Sequence, residues 1–321
     1  MTMEPAVDGG VADAARAGLR PKTKQLPSWL GYDEIGAGLL QRLAEQPEYY
    51  QARAERAILE AHADEIVAAA TLGGRAPLDL VELCAGSSGS TELLVGAAVR
   101  RQGAVTVLVS DASAAALCDI ERRLAALGSQ VRMHRVVGPH ERVMGLLGAL
   151  ANLQVVVLLG RASGNRAGDD AKELLCSIRR SLRPGAALVL GTDLLEDPAV
   201  LLKAYDDARG LGAAWSKNFL ARLNRELGAH FELERFRYVA LWNDDEARVE
   251  VYLESTVEQT VAIDALGQTV PLRAGERIPT EVGAKYDNRR IELLLQASGF
   301  ARIRTFYDPR RRFAVQVAHA Q

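Results

Sequence analysis

Cysteine is scarce: the chain has three among 321 residues, Cys84, Cys118 and Cys176, an odd number without C-x-x-C spacing. That excludes a disulfide framework and fits a reducing compartment, so a cytoplasmic location is expected. The five histidines are scattered without metal-ligand spacing, and no metal is expected. An excess of charge of one sign is lacking too. A formal net charge of −2 gives no long-range pull on nucleic acid, and the one basic run, Arg310-Arg311-Arg312, is short enough to be a solvated turn. The amino terminus carries early acidic residues and no uninterrupted apolar stretch, which argues against a signal peptide or a membrane span. Residues 1–25, with many Ala and Gly, read as a loose tail. With 48% hydrophobic and 25% charged residues, and neither internal repeats nor a low-complexity linker, the chain suits a globular enzyme. Its expected partner is a small-molecule substrate, with no nucleic acid and no membrane; composition leaves the oligomeric state open.

What is present is a small-residue loop between two apolar runs. Leu78-Asp79-Leu80-Val81-Glu82-Leu83 meets Cys84-Ala85-Gly86-Ser87-Ser88-Gly89-Ser90-Thr91, and a later run from Val105 to Ser110 is closed by Asp111. This is the pattern of a βαβ unit that cradles a nucleotide. Gly86 and Gly89 let a ligand lie against the backbone, while Ser87, Ser88 and the amides opening the next helix suit polar groups. Asp111 suits a ribose diol. The glycines do not follow the dinucleotide G-x-G-x-x-G. Glu82 just before the loop is the acidic residue expected where S-adenosylmethionine, rather than NAD, is held, which points to a methyltransferase.

Strand-like runs recur at Leu78 to Leu83, Val105 to Ser110, Val131 to Val137, Val155 to Leu159 and Ala187 to Gly191. With helical stretches between them they predict an α/β fold with a parallel, doubly wound sheet. Ala171 to Leu182 reads as a helix stopped by Arg183-Pro184-Gly185. Helices at Ala199 to Asp207 and Ser216 to Leu227 follow, then alternating segments at Arg248 to Thr256 and Glu258 to Ile263. Asn288 to Ala297 reads as a helix, and Ile303 to Phe306 with Ala314 to Val317 flank Asp308-Pro309 as a hairpin. The organisation expected is a Rossmann-like domain over residues 60–195 plus 286–321. Residues 26–59 plus 196–285 would then form a substrate-binding domain.

The chain resembles the histidine-specific, S-adenosylmethionine-dependent methyltransferases of ergothioneine biosynthesis. The carriers are Gly31-Tyr32-Asp33-Glu34-Ile35-Gly36, Pro47-Glu48-Tyr49-Tyr50, the Leu83 to Thr91 loop, Leu159-Gly160 with Gly164-Asn165, and Gly191-Thr192-Asp193-Leu194. Tyr205-Asp206-Asp207-Ala208, Asn224-Arg225-Glu226-Leu227 and Thr280-Glu281-Val282 with Lys285 complete the set. The resemblance implies a class I methyltransferase fold with an added α+β substrate-binding domain. It implies S-adenosylmethionine as cofactor, held by Glu82, Gly86, Ser87, Ser88, Asp111, Gly138 and Gly160. It further implies that Tyr50, Asn165 and Tyr205, with Gly160, hold the amino and carboxylate ends of the substrate, and that Tyr32 and Glu281 meet its ring. Neutral phenol and amide groups orient a polar molecule without forcing it to remain a cation, and a methyl acceptor needs a free lone pair. Taken singly, each tyrosine is a packing residue, Asn165 a turn residue and Glu281 a surface carboxylate; their joint occurrence in family order changes that reading.

Two departures bear on substrate and cofactor. Gly283 stands where the family carries a serine two residues after the ring-binding glutamate, which removes a partner for the second imidazole nitrogen and enlarges the pocket. An indole has one ring N–H and a wider ring, so the chain looks like the indole C3-methyltransferases of physostigmine-type alkaloid biosynthesis, with Glu281 as base. The family's Asp-Phe pair at the adenine edge is replaced by Gly138-Pro139. The rivals are a histidine Nα-methyltransferase, a degenerate cofactor- or partner-binding protein, and, less favoured, a nicotinamide reductase.

Overall fold

A computed structural model describes residues 10–20, 24–85, 89–111, 113–138, 140–164 and 166–321. In chain order its first elements are α1 (Val11–Leu19), α2 (Glu34–Ala44), α3 (Gln51–Ala70), β1 (Leu78–Leu83), α4 (Ser90–Gln102), β2 (Val105–Asp111), α5 (Ala114–Ala125) and β3 (Val131–Val137). Next come α6 (His140–Leu147), β4 (Leu153–Leu158), α7 (Arg161–Gly164), α8 (Gly168–Ser181), β5 (Ala187–Asp193), α9 (Pro198–Tyr205) and α10 (Leu211–Leu227). The remainder is β6 (Phe236–Asn243), β7 (Arg248–Ser255), β8 (Gln259–Ile263), β9 (Gln268–Leu272), β10 (Arg277–Ala284), α11 (Asn288–Ala297), β11 (Phe300–Tyr307) and β12 (Phe313–Ala320). Contacts divide the chain into two units, residues 1–49 with 197–283 and residues 50–196 with 284–321.

The sheet unit carries seven strands in the order β11-β12-β5-β4-β1-β2-β3. The five strands from β5 to β3 run parallel, and β12 and β11 close the sheet antiparallel. Every residue of β1 is buried, as expected for a central parallel strand covered on both faces. Asp79 is buried in that run and is satisfied by the backbone amide and side-chain amide of Asn152, each at 2.9 Å. One face packs β-strand residues such as Val81, Val156 and Leu188 against Leu175 and Ile178 of α8 and Ile291 and Leu295 of α11. Asp287 caps α11 through the Arg290 amide at 2.6 Å. The parallel, doubly wound sheet expected from the sequence is thus the observed one.

The other unit is built around α10. Trp215, Phe219, Leu220 and Leu223 of that helix are buried against Leu30, Phe236, Leu253 and Ile278, which come from the chain before α2 and from β6, β7 and β10. The sheet here is β10-β7-β6, and β8 and β9 make a separate antiparallel pair. Three expectations need correction. Residues 11–19 are a helix rather than part of a loose tail, because Ala15 and Leu19, one turn apart, are buried in the α10 cluster. Residues 50–59, placed by patterning in the substrate-binding block, begin α3 and fall in the sheet unit. Helix α10 starts five residues before Ser216, with Asp207 accepting from the Leu211 and Gly212 amides at 3.0 and 2.7 Å.

Candidate active site

In an open parallel sheet the strands' carboxyl ends form the crevice where ligands bind. At that edge β1 ends in Leu83, β2 in Asp111, β3 in Val137 followed by Gly138, and β4 in Leu158 followed by Leu159 and Gly160. Asp111 is paired with Val137, its carbonyl accepts from the Gly138 amide at 3.0 Å, and its Oδ1 accepts from the Ser113 amide at 2.8 Å. The structure thereby brings Asp111 and Gly138 together. Gly86, Ser87, Ser88 and Asn165 lie outside the described residues, as does Pro139.

Glu82 is 1% exposed, and one of its oxygens has no hydrogen-bond partner among the described residues. Burial pushes its carboxyl up to about 8; the Thr91 hydroxyl opposes this, while Glu55, Glu92 and Asp111 add to it. Glu55 of α3 was not singled out from the sequence. It is buried at 2%, accepting from the Gly160 amide at 2.6 Å and the Ser90 hydroxyl at 2.7 Å, and desolvation raises its carboxyl as well. A signal existed: Glu55 shares the buried stripe of α3 with Ile58, Leu59 and Ile66, where an uncommitted carboxylate would be costly.

At the end of β5 the Tyr50 hydroxyl donates to Asp193 Oδ1 at 2.7 Å, and Gln51 Nε2 donates to Oδ2 at 3.3 Å. Lys285 Nζ lies 2.8 Å from the same Oδ2, with side chains 1% and 7% exposed. The sequence motifs containing Asp193 and Lys285 are therefore one buried ion pair, and Tyr50 is tied to it.

In the α10 unit, one helix face arranges three predicted residues. Gly31 allows its backbone to lie on Trp215 and Phe219, where an added Cβ would come within 2.5 Å of both rings. Tyr32, next along, packs edge-on to Trp215 with ring centroids 5.7 Å apart. Asp33 caps α2 through the Gly36 amide at 2.8 Å and accepts from Asn218 at 2.6 Å and from Arg225. Gly212 packs so closely on the Tyr205 carbonyl that a side chain would collide, and that carbonyl also accepts from the Tyr238 hydroxyl at 2.8 Å. Ser216 meets Thr280 at 3.4 Å, beside Glu281. Positions 212, 215 and 216 are one turn apart on α10, so this helix fixes Tyr205, Tyr32 and the strand bearing Glu281. Glu281 and Gly283 are both buried and two residues apart on β10, hence on the same face of that strand. Trp215 was not identified from sequence.

Among the described residues no cluster of three or more His, Cys, Asp or Glu could hold a metal ion, and no helix is long and apolar enough to cross a membrane.

A family model described as histidine-specific methyltransferase, SAM-dependent, matches residues 11–320. A histidine N-alpha-methyltransferase of Mycolicibacterium smegmatis is 35% identical over 303 residues, 94% of this chain and 92% of that protein. One of Mycobacterium tuberculosis is also 35% identical, with the same coverage of both chains. The N-methyltransferase imqF of Aspergillus flavus is 25% identical over 301 residues, 91% of this chain and 80% of that one.

Proposed function

We propose, for a chain that belongs to the histidine-specific, S-adenosylmethionine-dependent methyltransferase family and is therefore a methyltransferase using that cofactor, that the methyl acceptor is the primary amine of an aromatic amino acid of the histidine class. The observation that carries this reading is the likeness along nearly the whole chain to histidine N-alpha-methyltransferases. It replaces the indole reading as the first choice.

The residues present fit the cofactor. Asp111 at the end of β2 would accept from ribose hydroxyls, and the orphaned oxygen of buried Glu82 suits a cationic donor. S-adenosylmethionine, when bound, supplies a methyl group on a sulfonium. The chain's own task is to present an uncharged amine. Tyr50 would read that amine from beside a carboxylate whose charge Lys285 already cancels, so the local field does not hold the amine as an ammonium. Tyr205 would hold the acid end. Tyr32, braced by Trp215, and Glu281 would meet the ring. Positioning and exclusion of water then supply most of the acceleration.

Gly283 favours a second reading, methylation of an indole-bearing amine at ring carbon C3, with Glu281 accepting the ring N–H. One assay compares kcat/KM for histidine, tryptophan and tryptamine. Histidine preferred by tenfold or more supports the amino-acid reading, and turnover of tryptamine alone overturns it.

A further inference from the structure

Helix α3 opens across the carboxyl ends of neighbouring strands. Tyr50, immediately before its first residue, and Gln51 reach Asp193 at the end of β5, at 2.7 and 3.3 Å. One turn on, Glu55 reaches two further chain segments. Its Oε2 accepts from the Gly160 amide after β4 at 2.6 Å, and its Oε1 accepts from the hydroxyl of Ser90, the first residue of α4, at 2.7 Å. The gap between those segments has a special place in the sheet. With the order β5-β4-β1-β2, the chain leaving β1 crosses to β2 and the chain leaving β4 crosses to β5, so the ligand crevice opens between β1 and β4. Glu55 bridges the two walls of that crevice.

The surroundings make room for both bonds. Glu55 is 2% exposed, and Gly191 on β5 leaves its space clear, because an added Cβ there would stand 3.2 Å from Oε2. Gly160 takes a left-handed backbone, φ +64°, with its amide on Glu55, and an added Cβ at that residue would meet no atom within 4 Å. Its backbone is therefore tied on one side and approachable on another. Charged neighbours are engaged elsewhere: Arg56 with Glu60 at 2.7 Å, and Glu92 with Arg123. Both groups that bond Glu55 are neutral, and desolvation raises its carboxyl despite them. A protonated carboxyl keeps the bridge, since its O–H can donate to the Ser90 oxygen while its carbonyl accepts from Gly160.

We propose that Glu55 is a positioning residue for the cofactor, a tie that fixes the width of the crevice between the Ser90 turn and the Gly160 turn. It acts through shape and not through its charge, touching the backbone that meets the ligand and not the ligand itself. Holding both walls in place before binding spares the ligand the cost of ordering them. This rests on S-adenosylmethionine being the cofactor and is independent of which acceptor is methylated.

The test is titration calorimetry of S-adenosylhomocysteine, with folding checked by circular dichroism. Glu55→Ala removes both bonds and should raise Kd about tenfold or more, since small misplacements of a binding wall are costly. Glu55→Gln should return Kd to within about threefold of the wild type, because its carbonyl accepts from Gly160 and its amide donates to the Ser90 oxygen. A role exerted through charge would give no such rescue. Ser90→Ala keeps Glu55 and removes one bond; it should raise Kd about threefold, and it decides the matter if Glu55→Ala does not fold. Asp79→Ala deletes another buried carboxylate, one bonded to Asn152 near the start of β1, and should lower the melting temperature with Kd unchanged. Unchanged Kd in the folded Glu55→Ala or Ser90→Ala protein, or a loss that Glu55→Gln does not restore, overturns the positioning role. Failure of the wild type to bind S-adenosylhomocysteine overturns the cofactor premise beneath it, so the two failures are distinguishable.

Discussion

Replacing Lys285 with methionine keeps most of the aliphatic stem and deletes the charge that answers Asp193. The two groups are 2.8 Å apart with side chains 1% and 7% exposed, so the remaining carboxylate is stranded in a medium of low dielectric. Removing one partner of such a pair costs about 3–5 kcal/mol. Here Asp193 keeps the Tyr50 hydroxyl at 2.7 Å and the Gln51 amide at 3.3 Å, which places the loss near the low end, about 3 kcal/mol. Against a total stability of about 5–15 kcal/mol the variant should still fold, with the melting temperature lowered by roughly 6–12 °C. Urea unfolding followed by circular dichroism measures the loss directly. The double variant with Asp193→Asn removes both charges, keeps an acceptor for Tyr50, and should recover most of it. A loss below about 1 kcal/mol for Lys285→Met alone would mean that the pair is screened, and the argument that Tyr50 stands in a charge-balanced setting would fail with it.

Other outcomes follow from the same geometry. Asp111→Ala should weaken S-adenosylhomocysteine binding by about tenfold or more, read by calorimetry, since a charge-assisted bond is worth roughly 1.5–3 kcal/mol; unchanged affinity would misplace the ribose site. The raised Glu82 carboxyl means that the folded, cofactor-free protein retains a proton that the unfolded chain loses above about 4.5. Stability should therefore fall as pH rises from about 5 to 8, by at most about 1.4 kcal/mol per pH unit. Urea midpoints at pH 6 and 8 should show that slope in the wild type and a flatter one in Glu82→Gln; equal slopes would refute it. Gly283→Ser should raise kcat/KM for histidine relative to tryptophan, and an unaltered ratio would remove Gly283 as a specificity residue.

The sheet was legible because its central strands are mostly apolar and the edge strand β3 places its polar residues Arg132, His134 and Arg135 at exposed positions among Val and Met. β1 and β3 have the predicted bounds, and α11 spans the expected Asn288 to Ala297. β6 was missed because its residues, including exposed Leu241, do not alternate cleanly between buried and open. Motifs were easier to find than their duties. Asn224 is engaged with both backbone groups of Phe231, at 2.8 and 2.9 Å, and Arg225 with Asp33, so that motif holds the scaffold together. Glu55 shows in the sequence only as a charge on the apolar stripe of α3, and no local pattern carries its partner 105 positions away at Gly160 or that of Trp215, 183 positions away at Tyr32. The loop residues Gly86, Ser87 and Ser88 and the substrate residue Asn165 remain expectations from the resemblance.

The central claim, transfer to an amine, is tested most directly by where the methyl group goes. The enzyme would be supplied with trideuteromethyl-labelled S-adenosylmethionine and either histidine or tryptophan, and the products fragmented by tandem mass spectrometry. The account predicts the label on the α-nitrogen, with the ring fragment unlabelled. Label on the ring carbon of the indole, with histidine untouched, would contradict it.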